Sequence, residues 1–198
     1  MSSQKPVVQV ITGSTRRNRV GHHVAEWVAS RAGIRGDFAV ERLDLAEVDL
    51  PLYDEPRHPR LQQYEHEETW AFSRRIERAN AHVFVFPEYN HSFNAALKNA
   101  IDHLFHEWAD KPIGLVSYGG ISGGTRAAAA LRPVLSSVRA VVVPEAVVVP
   151  LVSSRIVAGD AGPSFCPSPE SAQALDDMLD GIASWIPRCR LAPGGVAG

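Results

Sequence analysis

Three short stretches of this 198-residue chain concentrate the residue types that hold ligands. The first, Gly13-Ser14-Thr15-Arg16-Arg17-Asn18-Arg19-Val20-Gly21, combines glycine with two hydroxyls and three arginines directly ahead of a helical pattern. Exposed backbone N–H groups, the dipole of the following helix and guanidinium donors all favour a phosphate there. The stretch lacks the Gly-x-x-x-x-Gly-Lys-Ser/Thr of a Walker loop and the second glycine of a Gly-x-Gly-x-x-Gly turn. A phosphomonoester therefore fits better than a triphosphate or pyrophosphate. An ordinary turn with solvated arginines is the plain alternative, because strand-to-helix loops are often rich in Ser and Gly. The second stretch, Pro87-Glu88-Tyr89-Asn90, sets an aromatic ring beside a carboxylate and an amide, a set that can stack and hydrogen-bond a planar heterocycle. In the third, Ser117-Tyr118-Gly119-Gly120, glycine lets backbone approach a ligand closely.

The surrounding pattern places all three at the same edge of one sheet. Val7 to Ile11 is a β-branched run, and Val20, Val24, Trp27 and Val28 follow at helical spacing. Phe38 to Leu45 predicts a second strand, and Glu47 to about Pro59 a long, Pro-punctuated surface loop. Leu61 to Asn80 predicts a charged helix with Phe72, Ile76 and Ala79 on one side, followed by a strand over His82 to Phe86 and a loop over Pro87 to Asn90. Leu97, Ala100, Ile101, Leu104 and Phe105 then share one helix face. Pro112 to Ser117 is the fourth strand, Tyr118 to Gly124 a glycine loop, and Ala127 to Val138 a helix. Ala140 to Val149 is a fifth strand, where Pro144 predicts an edge position or lost pairing. Leu175, Met178, Leu179, Ile182 and Trp185 mark a last helix, and residues 191–198 read as a frayed tail.

Alternating strands and helices require right-handed crossovers and a parallel sheet covered on both faces. The expectation is an α/β doubly wound three-layer sandwich, with residues 1–198 as a single domain. Ligands in such sheets sit at the carboxyl ends of the strands near the point where strand order reverses. A phosphate at one loop and a flat ring between the other two is the shape of FMN.

Composition narrows the classes. Twenty basic against 22 acidic residues leave a net charge of −2, too little field to attract a nucleic acid or an anionic membrane surface. Seventeen of the twenty basic residues are arginine, and three of those crowd the first stretch. Cys166 and Cys189 form no CxxC pattern and read as reduced thiols of a cytoplasmic protein. The N-terminal residues have no apolar signal core, and the Val-rich stretch from Ala140 to Val152 is broken by Pro144, Glu145 and Pro150, so no export or membrane segment is expected.

From Val7 to about Val149 the chain resembles the NADPH-dependent FMN reductase family of flavodoxin-like oxidoreductases. The residues that carry this are Gly13-Ser-Thr-Arg16, Pro87-Glu-Tyr-Asn90, Leu97-Lys-Asn-Ala-Ile-Asp102 and the glycine loop before Arg126. Gly-Ser-x-Arg alone is weak, whereas Pro-Glu-Tyr-Asn followed seven residues later by Leu-Lys-Asn-Ala-Ile-Asp is specific.

The resemblance implies a flavodoxin-like, five-stranded parallel sheet in the order 2-1-3-4-5. It implies an oxidoreductase passing hydride from NADPH or NADH through bound FMN to a flavin, quinone, azo compound or chromate. On that footing Ser14, Arg16 and the turn Arg19-Val20-Gly21 hold the phosphate. Pro87, Glu88, Tyr89 and Asn90 line the isoalloxazine, largely through backbone groups, and Ser117, Tyr118, Gly119 and Gly120 close its other edge. No side chain takes a catalytic role, because the cofactor carries the chemistry. Arg16, Arg17 and Arg126 are candidates for the 2′-phosphate of NADPH. The resemblance also implies a homodimer or homotetramer with the Leu97 to Phe105 helix near the interface. Where many members have Pro-Gly before that helix, this chain has Asn94-Ala95, and Asn94 predicts an N-cap.

Other features have blander readings. His103 and His106 find no third metal ligand beyond Asp102 and Glu107 and read as surface histidines, and the four tryptophans read as packing or subunit contacts. An electron-carrying flavodoxin shares the fold, but such carriers are strongly acidic. A receiver domain needs clustered aspartates where this chain has Thr12-Gly-Ser14 and Pro87-Glu88. A scaffold retained for regulation is the remaining alternative.

Overall fold

The computed structural model describes residues 5–160 and 162–190; the tail expected to fray, 191–198, lies outside the described residues. Five parallel strands form the centre: β1 (Val7–Thr12), β2 (Ala39–Asp44), β3 (Ala81–Tyr89), β5 (Pro112–Tyr118) and β6 (Val141–Val149). They lie in the order β2-β1-β3-β5-β6, with the short β4 (Ser92–Phe93) paired antiparallel to β3. Counting parallel strands alone, this is the flavodoxin-like order 2-1-3-4-5, with the reversal between β1 and β3.

Side-chain alternation divides the sheet into two apolar faces. Val8 and Val10 of β1, Val83 and Val85 of β3 and Val116 of β5 meet α1 (Gly21–Arg35) and α6 (Pro169–Arg190). Ile11, Phe84, Phe86, Ile113 and Leu115 meet α3 (Glu67–Glu77), α4 (Ala95–Asp102) and α5 (Thr125–Ser137) on the other face. A one-turn helix, α2 (Leu45–Val48), and a minor hairpin, β7 (Ile156–Val157) with β8 (Ser164–Phe165), complete the elements. Among the described residues no helix is long and apolar enough to cross a membrane.

Pro144 lies on the edge strand, and the pairing of β6 with β5 shifts register between Ile113 and Leu115, so both expected consequences of the proline occur together. Several expectations need correction. The helix expected from Leu61 begins only at Glu67, because Tyr64 turns inward to the buried Glu107 carboxylate, which its hydroxyl meets at 3.1 Å. The loop from Glu47 to Pro59 does lie largely at the surface, but it starts inside α2 and is stapled down. Its Glu55 is buried and accepts from the Glu65 and His66 amides at 2.7 and 3.2 Å, and Asn99 bonds both Tyr53 and Pro51 of the loop. His103 is not a surface residue: it is 2% exposed, with Nδ1 2.8 Å from the Asn99 carbonyl. Trp108 is buried, Trp27 packs on Phe165, and Trp70 is exposed.

Candidate functional site

All three ligand-type stretches meet at the carboxyl edge of the sheet, beside the β1/β3 reversal. β1 ends at Thr12 and hands the chain to residues 13–20, which reach α1 at Gly21. The Gly13 amide still donates to the Val85 carbonyl of β3, at 2.8 Å, so the loop leaves the sheet anchored. Asn94 adds a second anchor through its Nδ2, 2.6 Å from the Gly13 carbonyl. Asn94 stands at the expected N-cap position of α4, but its side chain makes no capping bond and reaches across to the loop.

Ser14 is fully buried, and its hydroxyl shares a 3.0 Å hydrogen bond with the Tyr89 hydroxyl. Arg16 is exposed, with its guanidinium 6.0 Å from the centre of the Tyr89 ring. Arg19 behaves differently. It pairs with Asp44 at 2.7 Å, and the other Asp44 oxygen accepts from the Ala46 amide to cap α2. Arg19 is thus tied to the end of β2. Val20 occupies the cap position of α1 without a capping side chain, and no acidic residue lies in the first turn. The end of α1 therefore presents its amides and positive dipole end to an incoming anion.

The second stretch is not the expected loop. β3 runs on through Pro87, Glu88 and Tyr89, pairs Glu88 with Phe93 and Tyr89 with Ser92, and turns at Asn90-His91. Both turn residues have positive φ, 50° and 66°, which is the geometry of a two-residue type I′ hairpin and suits Asn at its first position. The Pro87-Glu88-Tyr89 backbone thereby becomes a rigid ledge. The Glu88 side chain turns past the glycine loop to the start of α5, where it pairs with Arg126. Partial burial opposes its charge, but the Arg126 guanidinium, the Ser122 hydroxyl and the Arg126 amide outweigh that and hold the carboxyl below its usual value.

In the third stretch Ser117 faces away from Tyr118. The Ser117 hydroxyl donates to the Gly123 carbonyl at 3.1 Å, fixing the loop's far end, and the Gly119 amide donates to Val149 of β6. Gly119 and Gly120 leave the loop's inner edge bare, and a Cβ on Gly120 would meet nothing within 4 Å. Tyr118 does not lie along that edge. Its ring belongs to the apolar face under α1 and its hydroxyl reaches Gly21.

The structure therefore brings together Ser14, Arg16, Val20, Gly21, Pro87, Glu88, Tyr89, Asn90, Ser117, Gly119 and Gly120, while the Arg19 side chain pairs with Asp44 and the Tyr118 side chain points under α1. Sequence reasoning missed the Asn94–Gly13 tie and the Asp44 anchor; neither has a local signal, since the paired residues lie 81 and 25 positions apart. Among the described residues no group of three or more His, Cys, Asp or Glu side chains converges to hold a metal ion.

The sequence model of the NADPH-dependent FMN reductase family matches residues 6–153, which include all three stretches. An NAD(P)H-dependent FMN reductase of Schizosaccharomyces pombe is 38% identical over 161 residues, 80% of each chain. A quinone reductase of Pseudomonas putida is 35% identical over 137 residues, covering 66% of this chain and 69% of that one. Among solved structures, a flavoenzyme NAD(P)H:(acceptor) oxidoreductase from Paracoccus denitrificans superposes with a TM-score of 0.69 at 26% identity, over 92% of this chain and 98% of that one.

Proposed function

Because the chain belongs to the NADPH-dependent FMN reductase family, we propose that its three converging loops hold FMN and serve a flat two-electron acceptor, a quinone or a second flavin. FMN supplies the redox chemistry when bound, taking a hydride from NADPH or NADH and passing the electrons on. The protein's part is to bind, orient and shield.

The residues fit such a cofactor. An uncapped helix end without acidic neighbours suits a phosphate, and Ser14 and Arg16 add a hydroxyl and a cation beside it. Ser14, Arg16 and the Val20-Gly21 amides are the phosphate ligands of this reading; Arg19, held by Asp44, shapes the turn. The hairpin ledge from Pro87 to Asn90 and the bare edge at Gly119-Gly120 flank the flat ring, with Ser117 holding the glycine loop in shape and Glu88 tying the first edge to the start of α5 beyond it. Tyr89 and Ile121, 36% and 91% exposed, give the slot an apolar rim where a ring-shaped acceptor would stack. Arg126 is neutralised by Glu88, which leaves the exposed Arg17 as the better partner for a 2′-phosphate.

The carrying observation is that the uncapped end of α1 and two glycine-bare or backbone-only edges converge on one sheet margin at the strand-order reversal. The likeness to the P. putida quinone reductase supports a quinone as acceptor. A homodimer through α4 is part of the reading: Leu52, 82% exposed, borders a cavity of about 420 Å³ with Ala95 and Ala96 at the start of that helix. Use of NAD(P)H and two free cysteines suit a cytoplasmic setting.

Anaerobic titration tests the proposal. FMN-loaded protein is expected to lose its yellow colour with NADPH or NADH and recover it with benzoquinone or free FMN. A preparation that gains no flavin spectrum on FMN addition defeats it.

A further inference from the structure

Beneath the first turn of α1 lies a hydroxyl that its surroundings do not serve. Tyr118 is 4% exposed, and among the described residues its Oη has no partner in hydrogen-bonding geometry. The hydroxyl fills the space that a side chain on residue 21 would take, so only glycine fits there. Ser14 lies beside it, but the Ser14 hydroxyl is engaged with Tyr89. Arg16 and Arg19 are near enough to act on it by charge. Burial, and then the Tyr89 hydroxyl, push the phenol well above its usual value, so it stays protonated and able to donate throughout the physiological range.

A phenylalanine would pack against Val8, Val116 and α1 equally well without burying an unmet hydroxyl. The hydroxyl, the uncapped helix end and Ser14 converge on one point, and an anion there satisfies all of them. We propose that Tyr118 is a phosphate ligand, donating its hydroxyl to the FMN phosphate from under α1 and so selecting the phosphorylated flavin over riboflavin. This rests on the FMN reading above and moves Tyr118 from the ring edge to the phosphate bed.

The test is binding, read by flavin fluorescence quenching, of FMN and of riboflavin to the wild type and to Tyr118→Phe. A hydrogen bond to a charged group predicts FMN affinity weaker by roughly ten- to a hundredfold in Tyr118→Phe, with riboflavin affinity unchanged. Gly21→Ala, which drives a methyl group into the hydroxyl, is expected to show the same FMN-selective loss. Melting curves without flavin check that both variants fold. Equal weakening of both flavins, or no change in either, overturns the inference and leaves the FMN reading standing. Failure of the wild type to bind FMN overturns both.

Discussion

The Glu88 carboxylate bridges the end of β3 and the start of α5, accepting from the Arg126 amide at 3.2 Å and the Arg126 Nε at 2.7 Å. With a side chain 6% exposed against 51% for its partner, it is the fixed end of the pair. The contact sets the spacing between the hairpin ledge and the glycine loop, the two edges assigned to the flavin ring.

Glu88→Gln and Arg126→Ala should therefore weaken FMN by similar amounts, about fivefold, as expected for a partly exposed ion pair. The double variant should lose no more than either single one, because both remove the same contact. Fully additive losses in a binding titration would show that the pair does not act as a unit. The carboxyl is held below its usual 4.5, so its contribution is complete above that pH and fades only as pH falls further. FMN affinity should be flat from pH 6 to 8 in this respect.

Two arginines of one loop should behave differently. Arg16 is exposed and has no carboxylate partner among the described ion pairs, whereas Arg19 is held by Asp44 with only 20% of its side chain exposed. Arg16→Ala should cost roughly tenfold or more in FMN affinity and flatten its salt dependence. Arg19→Ala should change FMN affinity by less than about threefold and lower the melting temperature instead, by the few degrees that ~1 kcal/mol represents. The reverse ranking in a titration would return Arg19 to the phosphate.

What was legible in the sequence follows from the range of the interactions. The alternation of strands and helices, the parallel sheet covered on both faces and the three polar, glycine-rich stretches rest on local periodicity and on the geometry of crossovers, which neighbouring residues dictate; the strand order comes from the family resemblance. Pro87 to Asn90 was readable as lying at the sheet edge but not as a hairpin, because its partner strand is only Ser92–Phe93 and has no alternation to detect. Glu107 shows the same limit. Nothing in its neighbours marks it as buried, yet it is covered by Tyr64 and Ser73, whose hydroxyls meet it at 3.1 and 2.6 Å from residues 43 and 34 positions away. Side-chain direction was hidden as well: Arg19 could reach either a phosphate or Asp44, and Tyr118 lies on the opposite sheet face from Ser117.

Glycines 120 and 124 of one loop separate function from folding. Gly124 has φ +89°, and a Cβ there would lie 2.7 Å from Ser117 Cβ and 2.8 Å from the Tyr118 nitrogen. Gly124→Ala should destabilise by ~2 kcal/mol or more, since left-handed strain adds to a clash with backbone. Gly120→Ala meets nothing within 4 Å and should leave stability within about 0.5 kcal/mol. Its methyl group instead narrows the slot, so the KM for a quinone should rise while the melting temperature holds. Thermal melts and steady-state kinetics on the two variants check the contrast.

Lys111 gives a pH dependence away from the site. Its ammonium donates to the Ile76 and Glu77 carbonyls at 3.0 and 3.1 Å, closing the last turn of α3. Burial lowers it from 10.5 to about 8, although the Glu77 and Glu107 charges work in the opposite direction. His82, fully buried beside it, is held neutral by its own burial and by the lysine charge. Below pH 8 the lysine is charged in both states, and the folded state carries the whole cost of burying it. Between about 8 and 10.5 the unfolded chain binds the proton more tightly, so stability should rise with pH, by at most ~3 kcal/mol. Tyr64, buried against Glu107, is shifted upward from 10 and opposes this only near the top of the window. Denaturant titrations of wild type and Lys111→Met at pH 7.5 and 9.5 isolate the effect, because the other groups cancel in the difference. The wild type should gain stability relative to Lys111→Met on going to pH 9.5; a constant gap between the two would mean that Lys111 keeps its ordinary proton affinity in the fold.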